Sequence, residues 1–172
     1  MKSNILIEYD KILIRSTEIA DLDYVMSTES NKDNSVYVAI WSKQQHIDAI
    51  NNDDIAHLVV EEKGSGKNVG YLLIFGLTNK HYSIEFKRLV ISEKGKGFGR
   101  QTIRAIKKAA FEKLNAHRLW LDVFTFNERA YQLYLSEEFK EEGRLRECVF
   151  RDGEYHTLIV MSVLEDEYIS EK

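Results

Sequence analysis

The sequence predicts one α/β domain, of the α+β kind, in which helices flank a mixed, mostly antiparallel central sheet. Three observations predict it. β-rich runs alternate with amphipathic helical stretches along the whole chain. The runs His57 to Glu61, Val69 to Leu77 and Ser83 to Ile91 follow one another across short turn-forming loops, as in a meander. The last of them enters the turn Lys94-Gly95-Lys96-Gly97-Phe98-Gly99-Arg100, which leads into a helix. A chain of 172 residues with 44% hydrophobic content buries about 70% of its unfolded surface. A single domain, 1–172, is therefore expected.

Taken in order, Ile5 to Tyr9 and Ile12 to Arg15 read as an opening strand or small hairpin around Asp10-Lys11. Thr17 is placed to cap a helix whose stripe is Ile19, Leu22, Val25 and Met26, and the polar run Thr28 to Asn34 reads as a loop. Ser42-Lys43-Gln44-Gln45 has the form of a capping box, and the helix it starts carries Ile47 and Ile50. Lys63 to Asn68 and Thr78 to His81 join the three meander strands. After the glycine turn, Ile103, Ile106, Ala110 and Leu114 mark one face of a helix. Arg118 to Phe124 is the next strand, parallel to Ser83–Ile91 because a helical crossover joins them. Asn127 caps a further helix, and Glu142 to Phe150, Asp152-Gly153 and Tyr155 to Leu164 form a closing hairpin.

Composition excludes several classes. A net charge of -4 argues against a general nucleic-acid binder, which needs a basic face, and is compatible with a cationic acceptor. No apolar run reaches the roughly 20 residues of a membrane span, and the N-terminus lacks a signal peptide, so a cytoplasmic protein is expected. One cysteine, Cys148, excludes an internal disulfide, and the five histidines show no metal-ligand spacing, so no metal is expected. Cys148 reads as a small buried residue, Glu29 and Asp33 as solvated loop charges or, alternatively, contacts to a cationic substrate, and Glu165-Asp166-Glu167 as a solvated chain end.

Glycines after a strand permit a tight turn and by themselves mean no more than that. They also let the backbone N–H groups of a helix start approach a pyrophosphate, with Lys94, Lys96 and Arg100 adding charge. The run G-x-G-x-G is neither the dinucleotide fingerprint G-x-G-x-x-G nor a P-loop. Downstream stand Asn127, Ala130, Leu133 and Tyr134, followed by Glu138-Phe139.

On these two motifs the chain, from about Ala56 onward, resembles the GNAT family of N-acetyltransferases, and more narrowly its bacterial branch of polyamine and ribosomal-protein N-terminal acetyltransferases. Lys94, Gly97 and Gly99 match the family's pyrophosphate segment, with lysine in the place of the usual arginine or glutamine. Lysine keeps the charge and loses the planar fork, which shifts the expected binding to the backbone. Asn127, Ala130, Leu133 and Tyr134 match the family's Asn-x-x-Ala-x-x-Leu-Tyr helix, and Glu138 replaces the glycine expected after it.

The resemblance implies acetyl-CoA as co-substrate and a splay between strands 83–91 and 118–124 that admits its pantetheine arm. It implies coenzyme contacts at Leu89, Val90, Ile91, Lys94, Gly95, Lys96, Gly97, Phe98, Gly99, Arg100 and Asn127, and Tyr134 as proton donor to the leaving thiolate. Tyr134 is otherwise an amphipathic core residue. Glu85, upstream of the thioester site on its strand, is either the base for the acceptor, a small-molecule amine or a peptide N-terminus, or a solvent-facing strand carboxylate, and Tyr37 and Trp41 are either acceptor contacts or core aromatics. A homodimer through the final hairpin is expected, as dimers are common in the family. A non-catalytic acyl-CoA-binding module or a nucleotide-binding protein on the same turn are the alternatives.

Overall fold

The computed structural model describes residues 5–170. Its strands are β1 (Leu6–Tyr9), β2 (Ile12–Ser16), β3 (Ile55–Glu62), β4 (Lys67–Phe75), β5 (Ser83–Ile91), β6 (Arg118–Phe124), β7 (Lys140–Arg151) and β8 (Glu154–Leu164). They form one sheet in the order β1-β2-β3-β4-β5-β6-β8-β7, antiparallel except at β5–β6. The helices are α1 (Leu22–Ser30), α2 (Lys32–Ser35), α3 (Lys43–Asn51), α4 (Phe98–Glu112), α5 (Glu128–Ser136) and α6 (Glu165–Ser170). None of the described helices is long and apolar enough to cross a membrane.

Alternation along the strands splits the interior in two. Leu58, Val60, Leu72, Ile74, Ile84 and Phe86 point to one face and pack with Ile103, Ile106 and Ala110 of α4. Val59, Tyr71, Leu73 and Val90 point to the other and pack with Val25 of α1 and with Trp41. Both faces of the central strands are covered, which is why β3 to β5 are so rich in apolar residues.

The antiparallel meander, the crossover through α4 and the final hairpin lie where the sequence places them, and β5 has the expected bounds. Several local expectations are corrected. Glu18, not Thr17, caps the first turn, a 3-10 turn over Ile19–Asp21. Thr17 is instead drawn to the sheet, its hydroxyl 2.8 Å from His57 Nδ1. Ile19 is exposed and leaves the apolar stripe. The polar run Thr28 to Asn34 is helical through Ser30 and again from Lys32, because its buried members find polar partners inside the fold. In α3 the Ser42–Gln45 capping box is present, but His46 and Ala49, rather than Ile47 and Ile50, are the buried residues.

Cys148 is exposed, not buried: it lies in an irregular stretch of the edge strand β7, where the pairing with β8 slips between Leu145 and Val149. The acidic tail is helix α6, with Glu167 accepting from the Leu164 N–H and Tyr168 stacked on Phe111 at 4.9 Å.

Candidate active site

Hydrogen-bond geometry opens the site. β5 and β6 pair in parallel only at Ser83–Arg118, Ile84–Leu119 and Glu85–Trp120; beyond that rung they diverge. A groove of about 880 Å3 opens past the divergence, between the end of β5, the glycine turn, α5 and the segment Lys32–Val38. Leu89, Val90, Ile91, Lys94, Gly95, Gly97, Phe98, Gly99, Arg100 and Asn127 all border it, as does Tyr134; Lys96 does not.

The turn is built by conformation. Gly95 and Gly97 sit at φ 83° and 84°, left-handed values that favour glycine. Gly97 is the N-cap of α4 and no side chain caps that helix, so its first N–H groups are left to the groove. The nearby basic side chains are largely engaged elsewhere. Lys94 Nζ donates to the Asp33 carbonyl at 2.9 Å, and Arg100 is ion-paired with Glu137. Hydrogen bonds from Lys67 and Lys96 hold the Glu93 carboxyl down at about 2. The turn therefore offers chiefly backbone donors at a helix start, an arrangement that suits an anionic group such as a pyrophosphate.

Asn127 Oδ1 caps α5 by accepting from the Ala130 N–H at 3.3 Å, which fixes the helix that carries Tyr134. The Tyr134 ring rests on Phe139, centroids 5.7 Å apart. Burial, with the Asp122 carboxylate adding to it, pushes its phenol up to about 12. Where the family pattern expects glycine after α5, Glu138 takes φ 65°. The exit of α5 thus keeps the left-handed turn without the glycine.

Glu85 stands at the last paired rung, outside the groove, where β5 and β6 part. Its Oε1 accepts from Lys87 Nζ at 3.0 Å, and the same ammonium is 4.0 Å from Asp122 on β6. Lys87 projects from a bulge: β4 pairs Leu73 with Arg88 and Ile74 with Phe86, leaving Lys87 as the extra residue.

A buried polar cluster lies behind this point, on the α1 and α3 face. Glu29, fully buried, accepts from Tyr71 Oη at 2.7 Å and from the Trp41 N–H at 2.7 Å, and it is ion-paired with Arg88. His46 Nε2 lies 3.4 Å from Glu29, His46 Nδ1 3.0 Å from His57 Nε2, and His57 Nδ1 2.8 Å from Thr17 Oγ1. One arrangement satisfies this row with both rings neutral: Thr17 donates to His57, His57 to His46, and His46 to Glu29. Burial disfavours the Glu29 charge, but hydrogen bonds from His46, Tyr71 and Trp41 and the Arg88 charge outweigh it and hold its carboxyl below the ordinary range. Arg88 also lies over the Trp41 ring at 4.6 Å.

Tyr37, exposed on the same loop as Trp41, stacks on Phe126 at 5.9 Å, and Phe126 stacks on Phe124 at 4.9 Å. Arg151 of the final hairpin donates to the carbonyls of Ser35 and Val38, tying that loop down.

A strand pair that parts beside a glycine turn, an uncapped helix start and a tyrosine on the facing helix form the combination that the two sequence motifs imply, and the family match agrees. Residues 18–139 match the Acetyltransferase (GNAT) family. The chain belongs to the GNAT family of acetyltransferases. Spermidine N(1)-acetyltransferase of Vibrio cholerae is 26% identical over 170 residues, covering 93% of this chain and 96% of the relative. The crystal structure of the Vibrio cholerae spermidine N-acetyltransferase in complex with CoA and spermine superposes with a TM-score of 0.83 at 26% identity, over 92% of this chain and 98% of that one. A dodecameric structure of that enzyme in an intermediate state gives 0.80 at 25% identity, over 94% and 98%. This acetyltransferase uses acetyl-CoA.

Sequence reasoning missed Lys87, Asp122, Arg88 and the Glu29 cluster. Lys87 and Arg88 lie within the predicted strand beside Glu85, and the unusual density of charge in Glu85-Phe86-Lys87-Arg88 was the available signal.

Proposed function

We propose that the chain, acting as one domain over 1–172, transfers the acetyl group of acetyl-CoA to a primary amine of a polyamine by direct attack. The single observation that carries the reading is the point where β5 and β6 part, at the rung Glu85–Trp120, with Asp122 close enough to act on Tyr134. The carboxylates of Glu85 and Asp122 stand at that point and the Tyr134 phenol borders the groove that opens past it, which supplies what amine acylation needs: a proton acceptor for the ammonium and a proton donor for the thiolate.

Acetyl-CoA supplies an activated thioester. The N–H groups of Leu89 and Ile91, which alternate with those bonded to β4, face away from that strand beyond the splay and can polarise its carbonyl. Glu85 takes a proton from the incoming ammonium, directly or through one water. Tyr134, whose raised pKa keeps it protonated across the working range, donates to the departing sulfur. No metal is invoked. The backbone of Gly95, Gly97 and Gly99 holds the pyrophosphate, with Asn127 fixing α5 against it. The acceptor assignment rests on the spermidine acetyltransferases among the relatives and on the two carboxylates, Glu85 and Asp122, at the cleft. A cytoplasmic location and a homodimer or larger assembly through the exposed edge β7 complete the proposal.

Thiol release from acetyl-CoA with a panel of amines tests it. Turnover is expected with spermidine and spermine and absent without acceptor. Protection of the fold by coenzyme A with no acceptor-dependent thiol release would overturn the enzymatic reading in favour of a binding module.

A further inference from the structure

Three charged side chains meet where β5 and β6 separate, and their arithmetic is uneven. Glu85 and Asp122 bring two negative charges; Lys87 returns one, at 3.0 and 4.0 Å. The neighbouring cation on β5, Arg88, is committed to the buried Glu29. The Lys87 side chain is 38% exposed, whereas Glu85 is 16% and Asp122 25% exposed. The two carboxylates are thus held by the cleft, while the lysine reaches them from a bulge and can swing into solvent without opening the core. An ammonium on a flexible stem, resting between the two carboxylates beside the expected path of an amine, holds a place that an acceptor's own ammonium suits equally well.

We propose that Lys87 is a specificity-determining residue for the acceptor: its ammonium is a tethered competitor that a cationic acceptor displaces from between Glu85 and Asp122. This deepens the polyamine reading and rests on it. A multiply charged amine gains the contacts that Lys87 gives up, and the lysine, driven into solvent, frees Glu85 to take the proton of the attacking nitrogen. Lys87 thereby weakens the binding of highly charged amines and leaves the coenzyme groove untouched. Removing the lysine charge deepens the local negative potential and favours the most highly charged acceptor most.

The experiment compares wild type, Lys87→Gln and Lys87→Arg with acetyl-CoA and a series of amines: a monoamine, spermidine and spermine. For Lys87→Gln the Michaelis constant for spermine is expected to fall about fivefold, the scale of a part-exposed ion pair. Spermidine should show a smaller fall and the monoamine the smallest, with the constant for acetyl-CoA unchanged. Lys87→Arg, which keeps the charge, should behave as wild type. Equal constants across the series, or a shift in acetyl-CoA that follows the amine, would overturn the assignment. Calorimetric titration of the same amines into each coenzyme A complex separates this from the acceptor reading. If wild type turns over no amine, the polyamine reading fails and the order of dissociation constants alone decides on Lys87. Unchanged dissociation constants would then overturn it as well.

Discussion

The two sides of the β5–β6 cleft are held by different means. On the side of the proposed coenzyme groove, the turn from Lys94 to Arg100 and the start of α5 are each shaped within a few residues, by glycines at positive φ and by the Asn127 cap. Behind the proposed acceptor side, Glu29, Trp41, His46, His57, Tyr71 and Arg88 come from separate parts of the chain, joined through side chains over as many as 59 residues in the Glu29–Arg88 pair. A backbone-built site should tolerate side-chain change and a side-chain-built one should not. The cost of a substitution ought to follow that division.

The sharpest cut is chemical. Tyr134→Phe should lower kcat about 10²- to 10⁴-fold in steady-state thiol release, with Michaelis constants and melting temperature near wild type. A fall in stability instead would make Tyr134 a packing residue. Next in size, Glu29→Ala strands the Arg88 guanidinium, and breaking a buried pair costs about 3–5 kcal/mol in urea unfolding. A cost within error would mean that the cluster does not hold the acceptor side together. The sign with pH follows from the depressed Glu29 pKa. Its contribution is present above the unfolded carboxyl value, about 4.3, and is lost as pH falls through the lower folded value. Wild type and variant stability should therefore converge in acid.

Smaller effects belong to the coenzyme side. Gly97→Ala meets no neighbouring atom within 4 Å and strains only the backbone at φ 84°, a cost of about 1–2 kcal/mol. It should raise the Michaelis constant for acetyl-CoA and leave that for the amine unchanged. Glu138→Gly, at φ 65°, should relieve a left-handed strain of about 1–2 kcal/mol against a glycine entropy cost of about 0.5–1 kcal/mol, a net gain of about 0.5–1 kcal/mol read as a melting temperature about 1–4 °C higher. Destabilisation would indicate that the Glu138 side chain makes a compensating contact.

The same division explains what the sequence disclosed. The glycine turn, the Asn127 cap and the strand order are local patterns, and they can be read from neighbouring residues. Glu29 lies in the run Thr-Glu-Ser-Asn-Lys-Asp-Asn, whose polarity locally signals a loop, and only the arrival of Arg88 and Tyr71 across the fold makes burial of its charge tolerable. Cys148 was misjudged for the converse reason. Its strand composition suggests burial, but β7 pairs on one side only, and the slip between Leu145 and Val149 sits on that edge. Lys87 escaped because a bulge, which re-aims one residue, leaves no mark in the period of the strand.

The hydrogen bond from Arg151 to the Ser35 carbonyl spans 116 residues. The hairpin that tethers this loop also completes the core, since Ile159, Met161 and Val163 of β8 are buried against the central strands. A chain truncated before β7 should therefore lose the fold together with the tether, whereas Arg151→Ala should release the loop alone.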